Sequence, residues 1–314
     1  MSFESDSNLA GSITRAASKQ TYYTIKFLVD RERIPDAYRA YAYFRWVDDI
    51  LDSETCERSE RIAFLIRQRS LMNRCYCGEQ LRDVNVEEQM LVNLIQHDGE
   101  KNSGLEMYVR NLMAVMAFDT ERRGSLISEK ELSDYSQLLA TAVTEALHYF
   151  IGHRCKAPKN EMRYLAVVAA HITHMLRDTF DDNQAGYFNI PREVLDAQGL
   201  TPFDIQKDAY RVWVKSRVEL ARSYFATSKS YLAQVQSLRC RTACLAYTAR
   251  FEEVLNSMER DGYILRPAYE EGKTPKAAVH MIWSSLTALL NMQPHAILLP
   301  EQQGHLRSIG QNNE

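Results

Sequence analysis

An all-α helical bundle is the fold the sequence predicts, and three observations carry that expectation. No proline stands between Pro35 and Pro158 or between Pro202 and Pro267, and a helix interior rejects proline because the ring removes a hydrogen bond and clashes with the preceding turn. Apolar residues recur at three- and four-residue spacing in RAYAYFRWVDDILD, LSDYSQLLATAVTEALHYFIG and YLAVVAAHITHMLRD, the period of a helix with one buried face. Strand-like alternation is nearly absent. The chain has 314 residues, 45% of them hydrophobic and 25% charged, enough to bury a large core, and it shows no internal period. One domain over 1–314 is expected, with loose tails at 1–16 and 301–314.

Along the chain, the first strong helical run surrounds Tyr41 to Asp52. His97 to Gly104 is rich in loop-forming residues. Ser128-x-x-Glu131 is a capping box that opens the run through Tyr135 to Gly152. Tyr164 to Asp178 is the next helix, Asp181 to Pro191 a loop, and Thr201-Pro202-x-Asp204 a helix start with proline at the first helical position. The proline-free stretch between Pro202 and Pro267 is again expected to be helical, and Arg266 to Pro275 reads as a loop before the apolar stretch Ala277 to Leu290.

Charge and cysteine content exclude several classes. The net charge is −3 and the pI about 6.3, so no bulk basic field recruits nucleic acid. Six cysteines are scattered through the chain, and MSFESDSNLAGS lacks both a basic and an apolar signal region, which predicts a reducing, cytoplasmic setting. Cys75 and Cys77 have no second pair at metal spacing, so they are expected as free thiols. The apolar stretches around Tyr164 to Leu176 and Ala277 to Leu290 are interrupted by His, Thr or Ser and fall short of a membrane span.

Two acidic stripes stand out. In HITHMLRDTFDD, His171, His174, Asp178 and Asp182 fall on one narrow helical stripe. Upstream, Tyr41, Arg45, Asp48 and Asp52 share a face, with Asp49 at its edge. The upstream carboxylates are embedded among Tyr43, Phe44, Trp46, Val47, Ile50 and Leu51, where unpaired acids are costly and bound cations are the natural remedy. An oxygen-rich donor set favours Mg²⁺, which bridges carboxylates to substrate phosphates. Arg45, Lys19 and Arg177 lie close in sequence and are able to contact diphosphate oxygens.

With these motifs the chain resembles the squalene and phytoene synthases, the head-to-head members of the all-α isoprenoid synthases. The resemblance runs from Ser18-Lys19-Gln-Thr-Tyr22 through Arg45-Trp-Val-Asp48-Asp49-Ile-Leu-Asp52 to Leu176-Arg177-Asp178-Thr-Phe-Asp181-Asp182. Weaker echoes lie at Met116-Ala-Phe-Asp119, Tyr135 to Glu145, Ile190-Pro191 and Phe251 to Tyr263. It implies an apolar cavity with two aspartate motifs facing across its mouth and two or three Mg²⁺ ions held by Asp48, Asp52, Asp178 and Asp182, with Asp49 and His174 as further candidates. An allylic prenyl diphosphate of C15 or C20 would ionise there and be coupled head to head to a second one. Tyr22, Tyr41 and Phe44 would line the cavity and steady cations. NADPH use stays open, because no glycine-rich fingerprint is visible and the family's reductive members lack one too. A lipophilic product implies peripheral contact with a membrane, and the oligomeric state is left open.

The sequence also departs from the family pattern. His171 and His174 stand where the family has Gln and Asn, and imidazole prefers softer metals than Mg²⁺. Thr141 and Thr144 replace glycines beside the cavity, adding β-branched bulk. Tyr187 and Asn189 align with the family's Arg and Tyr, and Phe251 with a diphosphate-contacting tyrosine; the C-terminal arginine has no certain counterpart, although Arg266 and Lys273 are near. Two alternatives to head-to-head synthesis remain: a class I terpene synthase acting on one prenyl diphosphate, and a non-haem metal oxidase built on Glu145-x-x-His148 with His171, His174 and Asp178.

Overall fold

A computed structural model describes residues 3–53 and 55–269. Among these residues it holds α-helices and short 3₁₀ turns and no strand. The helices are α1 (Phe3–Ala17), α2 (Lys19–Leu28), α3 (Ile34–Leu51), α4 (Arg58–Tyr76), α5 (Val86–Gln96), α6 (Gly104–Arg122), α7 (Glu129–Phe150), α8 (Leu165–Arg177), α9 (Thr179–Ala185), α10 (Arg192–Gln198), α11 (Asp208–Leu232) and α12 (Leu238–Arg260). Arg266 to Pro275 lies mostly, and Ala277 to Leu290 and 301–314 wholly, outside the described residues.

Helix starts obey local chemistry. Ser128 accepts a hydrogen bond from the Glu131 amide while Glu131 reaches back to the Ser128 amide, the predicted capping box. Asn85 and Glu88 repeat the device at α5, and Ser18, Ser103 and Ser237 cap α2, α6 and α12. The helices then bury their apolar stripes in two clusters. One gathers Tyr43, Phe44 and Val47 of α3 with Leu91 and Leu94 of α5 and Val109 of α6. The other gathers Ala169, Ile172 and Leu176 of α8 with Val214, Val218 and Phe225 of α11 and Leu255 of α12. Helix α8 is apolar on most of its circumference and accordingly packs against α7, α11 and α12.

Three expectations are corrected. Residues 1–16 are not a loose tail from Phe3 onward, because α1 packs on α3. Leu9, Ala10, Ile13 and Thr14 form its narrow inward stripe, and buried Asp6 accepts from Arg39 Nε at 2.8 Å and Asn93 Nδ2 at 2.8 Å. Thr201-Pro202 opens a turn and not a helix: the Thr201 amide and hydroxyl both donate to Asp204, and α11 begins at Asp208. The segment from Asp181 to Ala185 is helical, and the chain leaves α9 through Gly186.

Two junctions tie distant helix ends together. Gly186, at φ +86°, accepts at its carbonyl from the Gly124 amide at 2.8 Å, joining the exits of α9 and α6. A Cβ on Gly186 would sit 3.3 Å from the Gly124 nitrogen, so both the left-handed backbone and the close approach call for glycine. Asp30, just after α2, accepts from the amides of Gly152 (3.1 Å) and His153 (3.1 Å) at the end of α7 and from the Arg239 guanidinium at the start of α12.

Candidate active site

The two acidic stripes reach one cavity of about 280 Å³. Helix α3 contributes Asp48 and Asp52, α6 contributes Asp119 and Arg122, α7 Tyr135, α8 His171, His174 and Met175, and α9 Asp182. Asn189 and Tyr187 close it from the segment after α9. The acids are therefore four, facing one guanidinium.

A chain of polar contacts fixes the floor. Tyr135 OH donates to Asp119 Oδ2 at 2.8 Å, Arg122 Nε donates to Asp119 Oδ1 at 2.7 Å, and Arg122 Nη1 donates to Asn189 Oδ1 at 3.0 Å. Asn189 Nδ2 in turn donates to Asp182 Oδ2 at 2.7 Å. The Arg122 guanidinium also lies over the rings of Tyr135 (5.0 Å) and Tyr187 (5.2 Å).

The electrostatics show an excess of negative charge. Burial, and then the neighbouring Asp52, pushes Asp48 up to about 6. Burial, and then Asp178, pushes Asp182 up to about 7. Asp52 and Asp119 are also raised, burial being the largest cause for each. Carboxylates raised in this way are relieved by a proton or by a bound cation.

The predicted single stripe HITHMLRDTFDD is broken at Asp178. There the backbone turns to φ −97°, ψ 10° between α8 and α9, although the Asp178 amide still bonds to the His174 carbonyl and the Asp182 amide to the Asp178 carbonyl. His171, His174 and Asp182 line the cavity; Asp178 is absent from its wall. Its carboxylate is held by Arg177 through two bonds of 2.6 Å and by His174 Nε2 at 3.1 Å. Burial would raise this group, but the Arg177 bond and His174 outweigh it and keep it below the usual value.

Most of the other expected residues stand away from the cavity. Arg45 pairs with Asp49 and, at 3.6 Å, with Asp48 on the exposed face of α3, so Asp49 does not face the cavity. Lys19 is exposed, and Tyr22 stacks on Tyr38 with ring centroids 5.4 Å apart. Phe44 is buried edge-to-face against Tyr108, Tyr41 is half-buried beside the same cluster, and Phe251 is buried against Tyr247. His171 is 6% exposed, with Nδ1 3.1 Å from Ser136 Oγ and its ring against Tyr135. Burial pulls it down to about 3, so it is neutral at pH 7. His174 is half exposed and also lowered, first by burial and then by Arg177. Thr141 bonds back to the Gln137 carbonyl at 2.8 Å, whereas Thr144 is buried with no partner for its hydroxyl.

The oxidase arrangement does not form. Glu145 is held by Arg163 through bonds of 2.7 and 2.8 Å and by Tyr164 at 3.0 Å. His148 bonds to Tyr231 at 2.8 Å and faces Cys240. Neither lines the cavity that holds His171 and His174. All six cysteines are free. Among the described residues no three His, Cys, Asp or Glu side chains are arranged to hold an ion unaided, and no helix is long and apolar enough to cross a membrane. Arg122, Asn189 and the role of Asp119 are what sequence reasoning missed; the local signal was Asp119-x-x-Arg122 at helical spacing.

Fold and cavity together define an α-helical bundle whose acids, carried on helices far apart in sequence, converge on one pocket. The model of the squalene/phytoene synthase family matches residues 14–276, and the chain belongs to that family. It is 24% identical over 210 residues to the presqualene diphosphate synthase of Zymomonas mobilis, covering 65% of this chain and 66% of that protein. With the chloroplastic phytoene synthase of Daucus carota it shares 28% identity over 100 residues, 31% of this chain and 25% of that one. Among solved structures, a squalene synthase from Alicyclobacillus acidocaldarius superposes with a TM-score of 0.67 at 20% identity, covering 84% of this chain and 97% of that one. A dehydrosqualene synthase gives 0.68 at 16% identity, covering 92% and 98%. These two establish the shared fold.

Proposed function

We infer that this chain is a Mg²⁺-dependent synthase that ionises an allylic prenyl diphosphate of C15 or C20 length and couples it head to head to a second. The observation that carries the reading is the cavity in which four carboxylates face one guanidinium. Such a wall takes up cations, and its all-oxygen acids suit Mg²⁺, an ion usually bound by one or two carboxylates plus substrate phosphates and water. Asp48, Asp52 and Asp182 would hold it; Asp178 joins them only by exchanging Arg177 for an ion. When bound, the metal supplies charge neutralisation to the departing diphosphate. Arg122 adds a fixed positive charge beneath the same oxygens, oriented by Asp119 and Asn189 before substrate arrives. Neutral His171 and His174 offer a donor or acceptor at the wall and add no further charge.

Product analysis by gas chromatography and mass spectrometry, after incubation with C10, C15 and C20 diphosphates plus Mg²⁺, tests this reading. Coupled C30 or C40 products, or their cyclopropylcarbinyl diphosphate precursors, are expected. A second reading, conversion of one prenyl diphosphate to a terpene, is favoured by buried Thr144 on α7, where the family resemblance places glycine; it predicts single-chain products. No diphosphate release from any of the three substrates would sink both. An oily product leaves readily into lipid, so peripheral membrane contact belongs to the first reading, and vesicle flotation checks it.

A further inference from the structure

A second cavity, of about 470 Å³, lies on an adjoining face of α8, beside the acidic pocket. Leu165, Val168 and Ile172 of α8 form its floor, with Leu132 of α7 on one wall and Trp213 and Leu220 of α11 on the other. The floor runs for two helical turns, roughly 10 Å at 1.5 Å per residue. Its volume is in the range of small-molecule sites.

Beside these apolar residues the lining carries Ser133, Ser136, Gln137 and Ser216 and two charges, Glu129 and Arg217. Arg217 of α11 is half-buried in the groove and makes no ion pair within 4 Å among the described residues. The acid nearest in kind, Glu129, is exposed at the rim and pulls on it only at longer range. A guanidinium stripped of part of its water and left without a counter-ion is costly, and an arriving anion removes that cost. Apolar floor and lone cation together specify a ligand with an apolar chain and an anionic head.

We propose that the α7–α8–α11 groove is a binding site for a single-chain anionic amphiphile, its carboxylate or phosphate paired with Arg217 and its chain laid along Leu165, Val168 and Ile172. The groove is one residue away from the acidic pocket: Ser136 lines the groove, and its Oγ stands 3.1 Å from Nδ1 of His171, which lines the pocket. An occupant pressing on Ser136 therefore reaches the pocket through a single side chain.

The test is titration calorimetry of the full chain in EDTA, below micelle concentration, with dodecanoate, dodecyl phosphate and dodecanol. Both anions should give one saturable event, with dodecanol at least tenfold weaker. Arg217→Gln should weaken the anions at least tenfold, and Val168→Trp, which fills the groove, should abolish binding. If Val168→Trp lowers the melting point, Arg217→Gln decides alone. Preference for dodecanoate or for dodecyl phosphate distinguishes a fatty-acid from a prenyl-phosphate-like ligand. Dodecanol binding as tightly as the anions, no saturable event, or binding lost in Asp48→Asn and kept in Arg217→Gln would overturn the proposal. So would self-association in sedimentation that Val168→Trp abolishes, since the groove would then be covered by another copy.

Discussion

Asn189 holds Asp182: its Nδ2 donates to Asp182 Oδ2 at 2.7 Å while its Oδ1 receives Arg122 at 3.0 Å. One amide thereby orients both an acid and a cation of the pocket. Such supporting partners commonly govern metal affinity by 10- to 100-fold. Asn189→Ala should weaken Mg²⁺ binding by roughly that factor with little change in melting temperature. Calorimetric Mg²⁺ titration of wild type and variant checks this, and equal affinities would deny Asn189 any role at the metal.

Protons and metal should compete for the same oxygens. Asp48 stands at about 6 and Asp182 at about 7 without metal, so Mg²⁺ affinity should rise from pH 6 to pH 8, with proton release measurable in buffers of different ionisation enthalpy. The sign for stability comes from the same shifts. Both groups bind protons more tightly folded than unfolded, so their contribution is full below about 3.8 and is lost as pH climbs through 6 and 7. In EDTA, Asp182→Asn should therefore narrow the melting-temperature gap between pH 5 and pH 8.

His171 works in the opposite direction. Its folded value is about 3 against an ordinary 6.5, so the unfolded chain takes up the proton first. The stability it contributes is present above 6.5 and declines as pH falls towards 3. At pH 4.5 the loss is on the order of 2–3 kcal/mol. His171→Gln should remove that part of the acid sensitivity; urea unfolding at pH 7 and pH 4.5 reads it directly.

Breaking the Glu145–Arg163 pair should be costly. Both side chains are almost inaccessible, and removing one partner leaves a buried charge. Glu145→Leu or Arg163→Met alone should cost about 3–5 kcal/mol, and the double substitution much less. A double-mutant cycle in urea measures the difference; additive losses would mean the two groups act independently.

Thr144 separates stability from product. Its buried hydroxyl makes no hydrogen bond, so Thr144→Val should be neutral or stabilising by up to about 1 kcal/mol, while Thr144→Gly should cost about 1 kcal/mol in a helix interior. Thr141→Gly with Thr144→Gly should nonetheless raise the share of coupled C30 or C40 product. An unchanged product ratio would leave both threonines as packing only.

Much of the fold was legible because the helices that matter are written in local terms. The apolar period of α3, α7 and α8 and the Ser128 capping box needed no long-range contact to be read. Helix α1 was not, since its inward stripe is four residues wide in an otherwise polar segment, and only packing on α3 makes it a helix worth keeping. At the site, the DxxxD spacing disclosed Asp48 and Asp52. The break at Asp178 carries no glycine or proline to announce it. The Arg122–Asn189 contact joins positions 67 residues apart, which no local pattern encodes.

The Asp30 junction bears on how the chain matures. Its carboxylate draws together the exit of α7 and, 209 residues downstream, the Arg239 side chain. In a chain growing from its N-terminus, Asp30 leaves the ribosome long before that second partner exists. Fastening of the first two helices to the last described one must wait until nearly the whole bundle has been synthesised. Contacts so distant in sequence slow folding, which makes this protein a candidate for chaperone custody during translation, with Tyr22, Tyr23 and Phe27 of α2 as the surface to be shielded.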